Sequence, residues 1–303
     1  MINEIRYCFA HRDLHQLRKL IRGILPQRMM NDLGFYKRYH RFIDRKNPRI
    51  ADEKLLMLRE KEYRNNARVA QCADKYAVRE YVENKGLGEI LVPLLGVYED
   101  AGEIDWDRLP DRFAMKCNHG CGMNIIVPDR KELDIEEAEA KLNEWMHIDY
   151  GRLSGELNYL HIKPRIIVEE FIETKFGILP VDYKFHCSWG RVFCAQVIAG
   201  RGIKTEHLFV DQSFEDLHLA GDHFRYTGEN PQALRPDSFE KMWEIAGKLS
   251  GEFPYVRVDL YDLDGRPLFG ELTFTPNGEY LDYCNPKGEE WIGGQIRLEK
   301  EAG

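Results

Sequence analysis

Four runs of β-branched and aromatic residues are joined in pairs by turns too short to hold a crossover helix, and this dictates the kind of sheet the chain can build. Val181–His186 meets Val192–Ala199 across Ser188-Trp189-Gly190-Arg191, and Tyr255–Asp262 meets Leu268–Phe274 across Leu263-Asp264-Gly265-Arg266. A parallel pair needs a connection of roughly a dozen residues, so both pairs are expected as antiparallel hairpins. Phe113–Lys116 and Asn124–Val127 flank a glycine-containing turn, and Arg165–Ile172 reads as a buried strand. Ile90–Tyr98, with Pro93 near its start, reads as an edge strand, because proline cannot donate to a ladder. Helical spacing of apolar residues predicts helices over Asp52–Tyr63, Asp74–Lys85, Glu136–Met146 and Phe239–Ser250, the second stopped by Gly86-Leu87-Gly88. Strands and helices mix without βαβ alternation, which argues for an α+β fold with largely antiparallel sheets.

Charge divides the chain. Residues 1–50 hold 12 Lys/Arg against four acids, a balance of +8, whereas the net charge of the whole is −8. Leu14, Leu17, Ile21, Ile24 and Leu25 recur there at helical spacing, with Arg18, Lys19 and Arg22 between them. This predicts a basic N-terminal helix that either packs on the body or meets an acidic polymer or an anionic membrane surface as a peripheral contact. Nucleic acid is not expected as a partner, since the acidic remainder repels phosphates and no known module is visible. The absence of an apolar run of about 18 residues argues against a conventional membrane-spanning helix. The opening residues lack the pattern of a secretory signal. Seven cysteines, an odd count, fit reduced thiols of a cytoplasmic protein better than a disulfide framework.

Three stretches can carry chemistry. Lys116 ends a strand and is followed by Cys117-Asn118-His119-Gly120-Cys121-Gly122, a loop whose glycines let backbone N–H groups approach phosphate oxygens while lysine supplies a point charge. It is neither a P-loop nor a dinucleotide fingerprint, and it also reads as an ordinary hairpin turn. In Tyr255–Tyr261, strand alternation puts Arg257, Asp259 and Tyr261 on one face, and Glu271 and Thr273 share a face of the partner strand. Two carboxylates beside an arginine suit Mg²⁺ with an anionic ligand, or else form a solvated polar sheet face. The third is Ile166–Ile172, a β-branched run containing Glu169-Glu170, which reads as a buried strand meeting solvent or as a hinge accepting hydrogen bonds from a nucleoside. Cys117, His119 and Cys121 are too crowded for tetrahedral zinc. Trp145, Trp189 and Trp243 read as core.

The order of these pieces resembles the ATP-grasp superfamily, and within it the TupA-like group associated with teichuronopeptide biosynthesis. The resemblance runs from Asn47-Pro48-Arg49-Ile50-Ala51-Asp52-Glu53-Lys54 through Asp74–Val82, Leu109-Pro110, the Lys116 loop and Asp182-Tyr183-Lys184-Phe185 to Asn277. It implies an ATP-grasp fold of two α+β subdomains whose antiparallel sheets grip ATP. Expected boundaries are a basic segment at 1–50, an N-terminal subdomain at 51–110, a lid subdomain at 111–173 and a C-terminal subdomain with the metal site at 174–303. The resemblance implies that Lys75 and Lys116 contact phosphates under a Gly120–Gly122 lid, with Lys184 reaching them too. Glu169 and the backbone from Glu170 to Ile172 would meet adenine, and Asp182 the ribose. Asp259 and Glu271 would hold Mg²⁺, and Arg257 would neutralise the reacting group. The superfamily usually has Asn where Thr273 stands as third metal ligand, a change for which Asn277 is the candidate compensation.

The implied activity is ATP- and Mg²⁺-dependent ligation of a carboxylate to an amine through an acyl phosphate, serving a surface polysaccharide. A kinase of a sugar or small acid, a glycosyltransferase and a non-catalytic nucleotide binder are the alternatives. For the substrate, the residues between the hairpins offer Arg201, His207 and Asp211 as a docking place for an acid.

Overall fold

The computed structural model describes residues 26–173, 180–200, 205–228 and 235–300. The basic helix expected around Leu14–Leu25 and the candidate Arg201 lie outside the described residues. Two antiparallel sheets and their helices make an α+β fold.

The chain enters through α1 (Gln27–Tyr39) and α2 (Ala51–Leu58), the latter continuing through a wider turn at Arg59–Tyr63. Glu53 organises the start of α2, its carboxylate accepting from the backbone N–H groups of Asp44, Arg49 and Ile50. Among the described residues, three arginines of this segment are ion-paired: Arg38 to Asp52 and Asp282, Arg41 to Glu53, and Arg45 to Asp32 and Glu60. Next come α3 (Ala67–Ala73), capped by the Asn66 side chain, and α4 (Val78–Asn84). The helix expected over Asp74–Lys85 therefore starts later. Asp74 turns its carboxylate onto the N–H groups of Tyr76 and Ala77, at 2.8 and 3.1 Å, and so breaks the helix from α3.

The first sheet has the order β1 (Leu94–Tyr98), β4 (Ile166–Glu170), β2 (Phe113–Cys117), β3 (Asn124–Val127). Pro93 leads into β1, which is an edge strand as its sequence requires. The helix α5 (Ile135–Met146) packs on this sheet, and α6 (Tyr150–Ser154) follows it. Phe113, Met115, Ile166, Val168 and Leu142 form its core.

In the second sheet the order is β7 (Glu206–Val210), β6 (Arg191–Ala199), β5 (Asp182–Ser188), β8 (Val256–Leu263), β9 (Arg266–Thr273). Both expected hairpins form. Their two-residue turns, Trp189-Gly190 and Asp264-Gly265, have all four φ values positive, the mirror-image turn that matches strand twist. The helix α7 (Phe239–Ser250) lies on this sheet and buries Phe239, Met242, Ile245, Ala246 and Leu249, spaced three and four apart. Each large side chain among them contributes about 1.5–3 kcal/mol relative to exposure. The same core takes in Leu55, Leu58, Val69 and Val82 from α2–α4, and Ile292 from α8 (Pro286–Gln295).

Candidate functional site

A cleft of about 310 Å³ opens between the two sheets. The second sheet provides one wall through ladder register. Lys184 stands opposite Asp259, and Asp259 opposite Glu271, so one row crosses β5, β8 and β9. The next row sets His186 opposite Arg257 and Arg257 opposite Thr273. A bulge between Asp259 and Leu260 shifts the β8–β9 register where Gly270 stands on β9. A Cβ on Gly270 would lie 2.9 Å from the Asp259 carbonyl oxygen, so only glycine fits this crossing without displacement.

From the first sheet, Lys116 and Glu169 reach into the cleft and bind each other at 2.6 Å. Arg79 from α4 approaches the other Glu169 oxygen at 3.4 Å. Lys75 is set by Asn118, a fully buried residue of the glycine loop that sequence reasoning passed over. The Asn118 side chain donates to Asp74 at 2.8 Å and to the Lys163 carbonyl at 3.0 Å, and accepts from the Arg165 N–H at 2.6 Å. Its carbonyl accepts from the Lys75 N–H at 3.2 Å. The Lys75 ammonium then turns to the Gly120 carbonyl. Gly120 is packed so closely against Met123 and Tyr150 that a Cβ would come within 2.9 Å of the Met123 methyl, whereas Gly122, with φ +76°, faces open space at the loop tip.

Five cations (Lys75, Arg79, Lys116, Lys184, Arg257) thus stand along the cleft and its mouth with four carboxylates (Glu169, Asp182, Asp259, Glu271). Asp259 is fully buried and accepts from Arg257 Nε and Nη2, both at 2.7 Å, and from Lys184. Burial opposes its ionisation, but Arg257 and Lys184 together hold its pKa below the usual carboxylate range. Burial and neighbouring Arg257 push the Lys184 ammonium down, although Asp259 and Asp182 (3.3 Å) partner it. Glu271 differs: its side chain is 40% exposed, with Thr273 Oγ1 donating to it at 3.0 Å and Arg257 at 3.6 Å. Two carboxylates facing one way on adjacent strands suit a hard divalent cation, with Glu271 offering the accessible oxygens. Ammonium groups above a glycine loop suit a polyanion.

Not all the residues named from sequence converge here. Lys75, Lys116, Gly122, Glu169, Asp182, Lys184, Asp259 and Glu271 line the cleft. Arg257, Thr273 and Asn277 line an adjoining chamber instead. Glu170 is exposed at the end of β4, and neither it nor Ile172 is among the lining residues. His207 does not reach the cleft. Its ring is buried against Phe224 and Tyr283 and bonded to Gln196 at 2.6 Å, and burial lowers its pKa to about 4, the state of a neutral core histidine. Asp211 shapes a turn, accepting from the N–H groups of Ser213 and Glu215. Cys117 and His119 are buried while Cys121 is exposed at the loop tip, and among the described residues no group of three His, Cys, Asp or Glu is arranged to hold a metal ion. The adjoining chamber, about 550 Å³, shares Lys75, Cys121 and Glu271 with the cleft and adds Glu156, Tyr150 and Tyr159, none of which sequence reasoning singled out.

With this geometry in view, comparison with known families is decisive: the TupA-like ATP-grasp model matches residues 53–297. The chain belongs to the TupA-like ATP-grasp family. Among solved structures it is similar to D-alanine–D-alanine ligase from Bacillus anthracis, with 17% identity and a TM-score of 0.44, covering 75% of this chain and 66% of that one. It is also similar to phosphoribosylamine–glycine ligase from Thermotoga maritima (17%, 0.39, 75% and 56%). A third is N5-carboxyaminoimidazole synthase from Aspergillus clavatus in complex with ADP and 5-aminoimidazole ribonucleotide (13%, 0.39, 68% and 45%). In each case the chain spans less than two thirds of the neighbour's length. No curated protein matches it. None of the helices described is long and apolar enough to cross a membrane.

Proposed function

We propose that this TupA-like ATP-grasp protein is an ATP- and Mg²⁺-dependent carboxylate–amine ligase. The observation that carries the reading is the convergence of Lys75, Lys116 and Lys184, from three separate regions, on a cleft walled by the Asp259–Glu271 pair. The donor set fits the ligand: ammonium groups and the Gly122 loop for the triphosphate, and the accessible Glu271 carboxylate for the metal, which Asp259 would join as Lys184 turns from it to phosphate. Mg²⁺ would neutralise phosphate charge there.

A carboxylate does not acylate an amine at neutral pH, because oxide leaves poorly. Phosphoryl transfer converts that oxygen into phosphate, and attack by the amine then yields the amide, ADP and phosphate. The lysines hold and neutralise the phosphates, Lys116 after exchanging Glu169 for them. Arg257, fixed in place by Asp259, presents its guanidinium at the mouth of the second chamber, where the reacting carboxylate would lie. Such positioning and charge neutralisation supply most of the rate in phosphoryl transfer. The family's association supports a surface-polymer setting, with one substrate polymer-linked, and the basic N-terminal segment supports peripheral membrane contact.

The test is a coupled ADP-release assay over panels of carboxylates and amines. Release that needs both partners and yields an amide supports the ligase. A stable phosphorylated product formed without an amine would establish a kinase instead, and turnover of a nucleotide sugar a glycosyltransferase.

A further inference from the structure

We propose that the 550 Å³ chamber beside the cleft seats an amine acceptor, and that the Glu156 carboxylate, which lines it with Tyr150 and Tyr159, reads its ammonium group. This rests on the ligase reading and assigns its second substrate. The chamber's lining carries both signs of charge. Its cations, Lys75 and Arg257, are engaged, Lys75 on the Gly120 carbonyl and Arg257 on Asp259, with Glu271 3.6 Å from Arg257. The Glu156 end is set apart by burial: Glu156 is 5% exposed, with Thr275 Oγ1 donating to its carboxylate. Tyr150 and Tyr159 meet edge to face beside it, centroids 4.9 Å apart. A carboxylate that accepts from the Tyr150 hydroxyl and has aromatic rings nearby attracts a cation and repels an acid. An acidic substrate would find like charge at this end, so its carboxylate belongs toward Arg257 and the cleft. The amine belongs toward Glu156.

Desolvation supports the same assignment. Burial pushes the Glu156 carboxyl up, with Thr275 and Arg59 offsetting part of that penalty. An ammonium partner delivered by the substrate would favour the ionised carboxylate and so add a charge contact to the fit of the chamber.

The experiment uses the full chain without nucleotide and titrates matched probes by calorimetry: glucosamine, glucose and glucuronate, then alaninamide, lactamide and lactate. At least one amine should bind tenfold or more tightly than its neutral counterpart. Glu156→Gln should reduce that preference below twofold, and Tyr159→Leu, which keeps the charge and removes a π face, should weaken the amine about fivefold. Circular dichroism checks that each variant folds, and an unfolded Glu156→Gln leaves Tyr159→Leu as the deciding variant. Preference for either acid, no preference for any amine, or an amine preference that survives both substitutions overturns the proposal. A fluorescent ATP analogue, titrated separately, keeps the two readings apart. If the analogue fails to bind wild type while the amine preference holds, the ligase reading falls and the amine pocket stands.

Discussion

Replacing Asp259 by Asn should unfold the protein far more readily than replacing Glu271 by Gln, although both carboxylates are assigned to one metal. Asp259 is 1% exposed at its side chain and is the shared counter-ion of Arg257 and Lys184. Among the described carboxylates, neutralising it leaves Lys184 only Asp182 at 3.3 Å and Arg257 only Glu271 at 3.6 Å, and breaking such a buried pair costs about 3–5 kcal/mol. For a domain of this size that corresponds to a fall in Tm on the order of 10 °C. Glu271 has a 40% exposed side chain and only a 3.6 Å ion contact, so solvent screens its removal to below about 1 kcal/mol. Differential scanning calorimetry without nucleotide reads both. Adding Lys184→Met to the Asp259→Asn variant removes one stranded cation and should recover about 1–3 kcal/mol as a coupling term. Equal destabilisation by the two single substitutions, or no recovery in the double variant, would refute the charge accounting.

Lys116→Met should weaken ATP binding about 10- to 100-fold in titrations with a fluorescent analogue while moving Tm by about 2 °C or less, because its pairing with Glu169 is partly exposed. Gly270→Ala should cost about 1–3 kcal/mol by chemical denaturation, since its Cβ would press on the Asp259 carbonyl oxygen at 2.9 Å. Glu289→Gln should flatten the dependence of stability on pH. Burial, with Asp52 beside it, raises the Glu289 carboxyl well above its ordinary 4.5. The folded state therefore keeps a proton that the unfolded chain loses, and the Glu289 contribution to stability is full below about pH 4.5 and declines as pH rises toward the folded pKa. Thermal melts between pH 5 and 9 that fall equally steeply for wild type and Glu289→Gln would refute this.

Much of the fold is legible because its signals are local. Asp264-Gly265 and Trp189-Gly190 encode mirror-image turns, and the apolar spacing of Phe239–Ser250 gives α7 its observed ends. Alternation alone puts Arg257 and Asp259 on one face, which they share. Two other elements escape such reading. The helix α8 holds Gly288, Gly293 and Gly294, a poor helix composition, yet it forms because Gly293 lets the backbone around Arg49 and Ile50 pack directly on it. The strand β7 is buried at every residue, so it shows no alternation to betray it. His207 has a polar name and a core environment. Glu156 escaped because Thr275, which donates to its carboxylate, lies 119 residues away in the chain.

Asn118 joins what the two sheets otherwise keep apart. Its amide spans the end of α3, the glycine loop and the segment entering β4, and α3 belongs to the core beneath the second sheet. On the proposed reading, a swing of the first sheet over the cleft would turn near this pin. Lys75, beside the axis, would barely travel, while Gly122 at the loop tip would sweep the longest arc. On the proposed ligase reading, Lys75 would be the fixed mooring for the incoming anion and the loop the latch across it.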